Sequence, residues 1–134
     1  MPELCPFDYA IIRVVPRVER EEFINAGVIV SCPSKNYLKA AVELDRARLA
    51  ALDPALDPAT VEGHLRAFSR ICEGGEGAGP IGLLPPRARF HWLVAARSTV
   101  IQTSPVHTGL CADGDEVLEQ LLSKMVRARE STHA

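Results

Sequence analysis

The stretch DYAIIRVV, Asp8 to Val15, is rich in β-branched and aromatic residues and is followed by a proline, which predicts the first β-strand of the chain. Successive side chains of a strand point to opposite faces. The even positions Ala10, Ile12 and Val14 make one wholly apolar face, and the other face places one charge, Arg13, in an otherwise apolar row. This pattern predicts that the apolar face of the strand packs on the core, and it makes Arg13 a candidate functional residue.

Two further segments near the N-terminus have the composition of strands. FINAGVIVS, Phe23 to Ser31, and YLKAAVEL, Tyr37 to Leu44, flank the turn cluster CPSKN, Cys32 to Asn36. Gly27 inside the second strand suggests a β-bulge or a close backbone approach. Three strands joined by short connections at this spacing predict an antiparallel meander.

The middle of the chain changes to a helical period. Asp45 can cap a short helix that runs through Leu52. A longer helix is predicted to begin with Asp57 as its N-cap and Pro58 at its first position. Its apolar residues recur at helical spacing, which predicts an amphipathic helix with one face on the core. These residues are Val61, Leu65, Phe68 and Cys72.

The C-terminal part is predicted to return to strands and to end in a helix. A Gly-rich segment, Glu73 to Pro80, is expected to be a flexible loop. FHWLVA, Phe90 to Ala95, and STVIQTSP, Ser98 to Pro105, are predicted as the fourth and fifth strands. Asp113 and Glu116 form a D-x-x-E capping pattern at the start of the last helix.

This order of elements predicts one α+β domain over residues 1–134, a mainly antiparallel sheet of about five strands with two to three helices packed mainly on one face. The chain of 134 residues is long enough to bury a sizeable core. We expect that core to span about residues 8–126 and to leave a C-terminal tail at residues 127–134.

Charge and composition exclude several classes of function. The net charge of −2 gives no electrostatic footprint for nucleic acid or for an anionic membrane. The N-terminus has no basic region followed by an apolar run, so we expect a cytoplasmic protein without a signal peptide or a membrane span.

The four cysteines form no C-x-x-C pair, so we expect free thiols. His107 and Cys111 are too few ligands for a structural metal, and we expect no metal and no cofactor.

The stretch ARSTVIQTSPVHTG, residues 96–109, carries six Ser, Thr and Gln side chains and only two ionisable groups, Arg97 and His107. A neutral amide beside an arginine, as at Gln102, is suited to fixed-geometry binding of an anion or an amide. Nucleophilic catalysis is the competing interpretation, because Ser104 and His107 flank a proline and can share the rim of one turn.

If the first strand and this polar stretch are neighbours in the sheet, Arg13 lies near Gln102 or Ser104, and Asn25 adds an amide to the same surface. The hypothesis is one polar pocket that binds a small anionic or amide-bearing ligand. Its predicted lining is Arg13, Asn25, Arg97, Gln102, Ser104 and His107.

A second group of arginines, in the segment PPRARFHW, is also a candidate binding site. Arg87 and Arg89 stand close to Phe90 and Trp92 in this segment, which is a combination suited to stacking on nucleic-acid bases. Strand alternation instead predicts two core aromatics opposite an exposed pair, Arg89 and His91. We therefore expect no nucleic-acid site here.

Two blocks, YAIIRVVP…REEFINAGVIV and RFHWLVAARSTVIQTSPVHTGL, together resemble the bacterial family known as domain of unknown function 3037. The similarity covers about residues 8–126. The matching positions are Tyr9, Arg13, Glu22, Phe23, Asn25, Gly27, Arg97, Ser98, Gln102, Thr103, Ser104, Pro105, His107, Thr108 and Gly109. The resemblance supplies no catalytic roles. Because members of the family are encoded beside HipA-like kinases, it implies an accessory or regulatory partner of a kinase-fold enzyme.

Two functions follow from these observations. The first is a non-enzymatic binding or regulatory domain that acts with a protein partner, and the second is a small hydrolase or nuclease-like enzyme that uses the Arg/Gln/Ser/His cluster. An enzyme requires His107 within hydrogen-bond reach of Ser104 or of a carboxylate.

Overall fold

The computed structural model describes residues 3–95 and 99–127. Its strands are β1 (Cys5–Val14), β2 (Ile24–Cys32), β3 (Tyr37–Val42), β4 (Ile101–Thr103) and β5 (His107–Cys111). Its α-helices are α1 (Arg46–Leu52), α2 (Pro58–Glu73), α3 (Pro86–Leu93) and α4 (Gly114–Leu121). A π-helical turn, Leu122–Val126, continues α4. None of the helices in these ranges is long and apolar enough to cross a membrane.

Strand β1 is the centre of a five-stranded antiparallel sheet. One of its edges pairs with β2, which pairs in turn with β3. The other edge is shared, because β5 pairs with the first half of β1 and β4 with its last three residues. The predicted fold class, α+β with a mainly antiparallel sheet of about five strands, is confirmed.

The two faces of β1 are buried under different helices. Ile12 and Val14 belong to a core cluster built with residues of α1, α2 and α3, as the apolar face of the sequence predicts. Phe7 and Ile11, on the opposite face, pack with α4 and its π-helical turn. Three of the four helices therefore lie on one face, and the last helix covers part of the other.

The predicted helix starts at α1, α2 and α4 are confirmed by their caps. Asp45, Asp57 and Asp113 each accept a hydrogen bond from a backbone N–H in the first turn of the helix that they precede. Such caps satisfy amide groups that have no partner within the helix. The four apolar positions predicted for α2 are all buried, as the helical spacing requires.

The predicted fourth strand is wrong, because its first four residues form the second half of α3, and the described residues contain four α-helices instead of two to three. Pro86 occupies the first turn of this helix, where its fixed φ and missing N–H cost nothing. Phe90 and Leu93 then meet the core from one side of the helix. The alternation of aromatic residues that favours a strand here is coincidental.

The predicted exposure in this segment is also wrong in part. Phe90 is buried, but Trp92 is exposed on 41% of its surface, and the buried polar residue is Arg89. The Arg89 guanidinium donates to the carbonyls of Leu84, Ile71 and Cys72 at 2.6–2.9 Å. It thereby satisfies carbonyls at the C-terminal end of α2 that have no partner within the helix.

The Gly-rich loop that follows α2 contains two 3₁₀ turns, Glu76–Ala78 and Pro80–Leu83. Gly75 and Gly82 are joined by a backbone hydrogen bond of 2.9 Å. The mobility expected of this loop stays a prediction.

Strand β5 is not among the strands predicted from the sequence. Pairing with β1 holds the segment in an extended conformation. Gly109 is required there by packing, because a Cβ at this position would lie 2.7 Å from the ring of Phe7. Of the fifth predicted strand, only Ile101–Thr103 is paired, as β4. Ser98, the first residue of the predicted strand, lies outside the described ranges.

The irregularity predicted at Gly27 is present. The register between β1 and β2 shifts between Ile12, which faces Gly27, and Arg13, which faces Asn25. Ala26 is therefore the extra residue of a β-bulge. A Cβ at Gly27 would lie 2.8 Å from the carbonyl oxygen of Ala41 on β3, so the backbones also approach closely.

We predict that Gly27→Ala destabilises the protein by about 1–3 kcal/mol, because the added methyl group must push β2 away from β3. Gly77→Ala is the matched control, since a Cβ at Gly77 meets nothing within 4 Å. Urea unfolding measures both free energies. Equal effects of the two variants would contradict the close-packing argument.

We predict that Arg89→Met lowers the free energy of unfolding by about 2–4 kcal/mol, because three carbonyls lose a charged donor. Arg66→Met is the control on the exposed side of α2 and should change that free energy by less than about 0.5 kcal/mol. Chemical denaturation of both variants checks the expectation. A neutral Arg89→Met would show that these carbonyls do not need the guanidinium.

Candidate functional site

The bulge and the pairing of β4 bring three predicted site residues into one line across the sheet. Arg13 on β1 faces Asn25 on β2 and Gln102 on β4. We call these three residues the polar row. Register partners share one face of a sheet, so the expected proximity of Arg13 and Gln102 is confirmed. The row lies beside the π-helical turn that follows α4, and each of its side chains is half-buried.

Contacts within the chain orient each member of the polar row. The Arg13 guanidinium lies 4.2 Å above the centroid of the Phe23 ring, an attractive cation–π geometry. The Asn25 side-chain N–H donates to the carbonyl of Met125 at 3.0 Å. The Gln102 side-chain N–H donates to the carbonyl of Thr99 at 2.8 Å. Sequence reasoning missed Met125, because its carbonyl reaches the row only through the docking of the last helix.

Two polar atoms of the row are buried and have no hydrogen-bond partner among the described residues, namely Nε of Arg13 and Oδ1 of Asn25. The bond from Asn25 to Met125 fixes which end of the amide is the oxygen, so the unpartnered atom is an acceptor. The unpartnered nitrogen of Arg13 is a donor. Each buried polar atom without a partner lowers the stability of the protein by about 1–3 kcal/mol. These two atoms are therefore candidates for hydrogen bonds to a bound group.

Ser104 has a structural contact that its position in the polar stretch did not reveal. Its hydroxyl accepts a hydrogen bond from the backbone N–H of Ile11 at 2.8 Å and donates to the carbonyl of Pro105 at 2.9 Å. The backbone N–H of Ser104 donates to the carbonyl of Ile11. Ser104 thus continues the hydrogen bonding to β1 by one residue beyond the end of β4, and its side chain is buried.

His107 stands apart from the polar row. It faces Tyr9 in the register of β5 on β1, with ring centroids 5.3 Å apart. Tyr9 precedes Arg13 by four residues on the same strand face, which corresponds to about 13 Å. His107 is exposed, and no described carboxylate or hydroxyl is hydrogen-bonded to it. Arg97, the sixth predicted member of the pocket, lies outside the described residues.

The arginines of the competing cluster serve the fold. Arg87 pairs with Asp8 and donates to the Ser31 hydroxyl, and its guanidinium lies 5.0 Å from the centroid of the buried Phe90 ring. Arg89 is bound by carbonyls, as described above. Neither guanidinium is therefore presented as a free group on the surface.

The structure also contains an apolar cleft of about 460 Å³ on the side of the sheet that carries α2 and α3. Its walls include Phe68, Leu93 and Ile101, with His64 and Trp92 among the lining residues. None of the described polar-row residues lines it. Among residues 3–95 and 99–127, no group of three or more His, Cys, Asp and Glu side chains is arranged to hold a metal ion.

The fold and the site define a small α+β domain in which an antiparallel sheet displays a row of amide and guanidinium groups. A family model described as "Protein of unknown function (DUF3037)" matches residues 9–126. The chain belongs to this family. Comparisons with curated proteins and with solved structures gave no match.

We predict that Ser104→Ala lowers the free energy of unfolding by about 1–3 kcal/mol, because the buried N–H of Ile11 loses its acceptor. Ser123→Ala, at an exposed position, is the control and should stay within about 0.5 kcal/mol of the wild type. Urea denaturation compares the two. A silent Ser104→Ala would mean that the hydroxyl is available for another role.

Proposed function

We propose that this chain is a non-enzymatic binding domain that acts as an accessory of a protein partner, and that the polar row is its contact site. The observation that carries the proposal is the pair of buried, unpartnered atoms on adjacent strands, Nε of Arg13 and Oδ1 of Asn25. A free protein that buries both atoms without partners loses stability. A bound group that satisfies both recovers it.

An amide is the ligand group that fits this pair of atoms best. Arg13 offers an N–H and therefore needs an acceptor, whereas the oxygen of Asn25 needs a donor. A side-chain carboxamide carries both side by side within one planar unit. A simple anion satisfies Arg13 and leaves the oxygen of Asn25 facing another acceptor, so of the two ligand classes expected from the sequence we favour the amide.

The kind of partner is suggested by the family resemblance. Because members of this family are encoded beside HipA-like kinases, we propose that the partner is such a kinase-fold protein. A protein surface is also compatible with the exposed ring of Phe23, which is 42% accessible next to Arg13. An aromatic residue and an arginine side by side are enriched at protein interfaces.

The competing proposal, a small hydrolase or nuclease-like enzyme, has less support. It needs a base within reach of a nucleophile. The Ser104 hydroxyl is already hydrogen-bonded to the backbone both as acceptor and as donor. The His107 ring lies against the Tyr9 ring and has no hydrogen bond to a described carboxylate. The arrangement therefore provides no activated nucleophile among the described residues.

The test is the affinity of the purified chain for a HipA-like kinase of the kind encoded beside members of this family, measured by isothermal titration calorimetry. Arg13→Ala should weaken binding roughly tenfold or more, because charged hydrogen bonds at an interface are lost. Gln102→Ala should weaken binding less. Arg66→Ala removes the same charge from α2, on the opposite side of the sheet, and should leave the affinity unchanged.

Arg13→Lys separates the two ligand classes. Lysine keeps the positive charge but has no Nε–H in the same place, so it should fail to restore binding to an amide and should largely restore binding to an anion. Thermal unfolding verifies that each variant is folded. Absence of any complex with the kinase refutes the proposed partner, and full affinity in Arg13→Ala refutes the polar row as the contact site.

A further inference from the structure

The two outer edges of the sheet differ in how they are protected. At the edge formed by β3, the hydroxyl of Ser69 on α2 donates to the carbonyl of Ala40. The same strand carries the exposed Lys39, which pairs with Asp115. Helical cover and lysines are common protections of an edge strand against pairing with another chain. Strand β5, which forms part of the opposite edge, contains no Lys, Arg, Asp or Glu.

Pairing with β1 uses the backbone groups of every second residue of β5. Ile11 exchanges hydrogen bonds with Ser104, so the odd-numbered residues of β1 direct their N–H and C=O groups toward this edge. Their register partners on β5 are His107, Gly109 and Cys111. Thr108 and Leu110 therefore direct their backbone groups away from β1. These two N–H and two C=O groups have no hydrogen-bond partner among the described residues.

Exposed apolar side chains lie beside these free backbone groups. Leu110 is exposed on 65% of its surface, and its register partner on β1, Pro6, is also exposed. Both lie on the sheet face that carries α1, α2 and α3, but no residue of β5 belongs to the core cluster beneath those helices. A strand added to this edge would therefore pair backbone groups and cover apolar surface together.

We propose that β5 pairs antiparallel with β5 of a second copy of this chain, about a two-fold axis at Gly109. Thr108 then lies opposite Leu110 of the partner subunit, and the symmetry repeats this pair on the other side of the axis. The two pairs form four N–H···O=C hydrogen bonds, which use all the free backbone groups of both strands. The two five-stranded sheets thereby join into one continuous sheet.

The register centred on Gly109 is the one that pairs these groups within β5. A two-fold axis at Leu110 would place Thr108 opposite Ala112 of the partner subunit, and the carbonyl of Ala112 already accepts a hydrogen bond from the Lys35 ammonium. An axis at Thr108 would place Leu110 opposite Val106 of the partner subunit, which lies outside the strand.

The side chains of β5 are compatible with an identical partner. Gly109 lies at a non-bonded position, where the Cα atoms of the two strands approach to about 4.5 Å, and it has no side chain to obstruct the approach. The Leu110 side chains of the two subunits are diagonal neighbours, about 7–8 Å apart and within contact reach. No formally charged side chain of β5 meets its own copy across the axis, so self-pairing brings no like charges together on these strands.

The test is sedimentation equilibrium of the full chain from about 5 μM to about 500 μM, a range that detects micromolar dissociation constants. The average mass should rise with concentration from 14.6 kDa, the mass of one chain, toward twice that value. A mass that stays at one chain over the whole range would overturn the proposal. The outcome is independent of the proposed function, because the polar row lies on the other half of β1.

A matched pair of leucine variants locates the interface. Leu110→Lys should weaken dimerisation at least about tenfold, because an apolar contact is lost and two ammonium groups are brought near each other across the axis. Leu83→Lys is the control, since Leu83 is 66% exposed and Leu110 is 65% exposed, and it should leave dimerisation unchanged. Thermal unfolding verifies that both variants are folded. A dimer that Leu110→Lys leaves intact, or that Leu83→Lys weakens equally, would overturn the assignment to β5.

Amide hydrogen exchange followed by NMR tests the register directly. Raising the protein concentration should slow the exchange of the Thr108 and Leu110 amides at least about tenfold, because both become hydrogen-bonded in the dimer. The Gly109 amide, which already faces β1, should change much less and serves as the internal reference. Exchange at Thr108 and Leu110 that does not depend on concentration would contradict the proposed pairing.

Discussion

The structure depends on the position of β1 as a strand paired along both edges and covered on both faces. A strand in that position must satisfy every backbone group by pairing, because water cannot reach them. On one edge, residues 8–14 pair with β2. The other edge needs β5, β4 and, between them, the hydroxyl of Ser104. The two short C-terminal strands are therefore consequences of β1, since neither has a hydrophobic face long enough to specify a strand by itself.

The same constraint produces the polar row through the bulge on β2. Continued without the shift, the register that pairs Ile12 with Gly27 would place Ala26 opposite Arg13. The extra residue places Asn25 there instead. Gly27 permits this because the β3 backbone leaves no space for a side chain at that point. A bulge that re-aims a side chain next to a functional residue is a recurrent feature of sheets, and here it creates the donor–acceptor pair on which the proposed binding rests.

The parts of the fold that local signals specify could be predicted from the sequence. The caps at Asp45, Asp57 and Asp113 and the alternation of β1 are short-range patterns, so they give the correct elements. Helix α3 was missed because the alternating aromatics Phe90 and Trp92 imitate a strand while Pro86 marks a helix start. Strand β5 was missed because its exposed, polar residues carry no periodicity, and long-range pairing alone makes it a strand.

The candidate site could likewise be predicted only where short-range sequence patterns specify it. The proximity of Arg13 and Gln102 could be anticipated because both occur in strand-forming blocks that had to pair somewhere. The separate position of His107 could not, because it depends on where the chain leaves β4 and rejoins β1. The role of Ser104 depends on that same interruption, since its hydroxyl takes the place of a backbone acceptor only where β4 ends.

The two ends of β1 carry different chemical groups on the same face, a guanidinium at one end and a thiol at the other. Arg13 and Cys5 are eight residues apart on one strand face, which corresponds to about 26 Å. Between them that face is occupied by Phe7, Tyr9 and Ile11, and Phe7 and Ile11 are buried against the last helix and its π-helical turn. That turn also supplies the carbonyl of Met125 to Asn25. The buried residues of this face and the Asn25 side chain of the polar row therefore both depend on the packing of the same C-terminal helical segment.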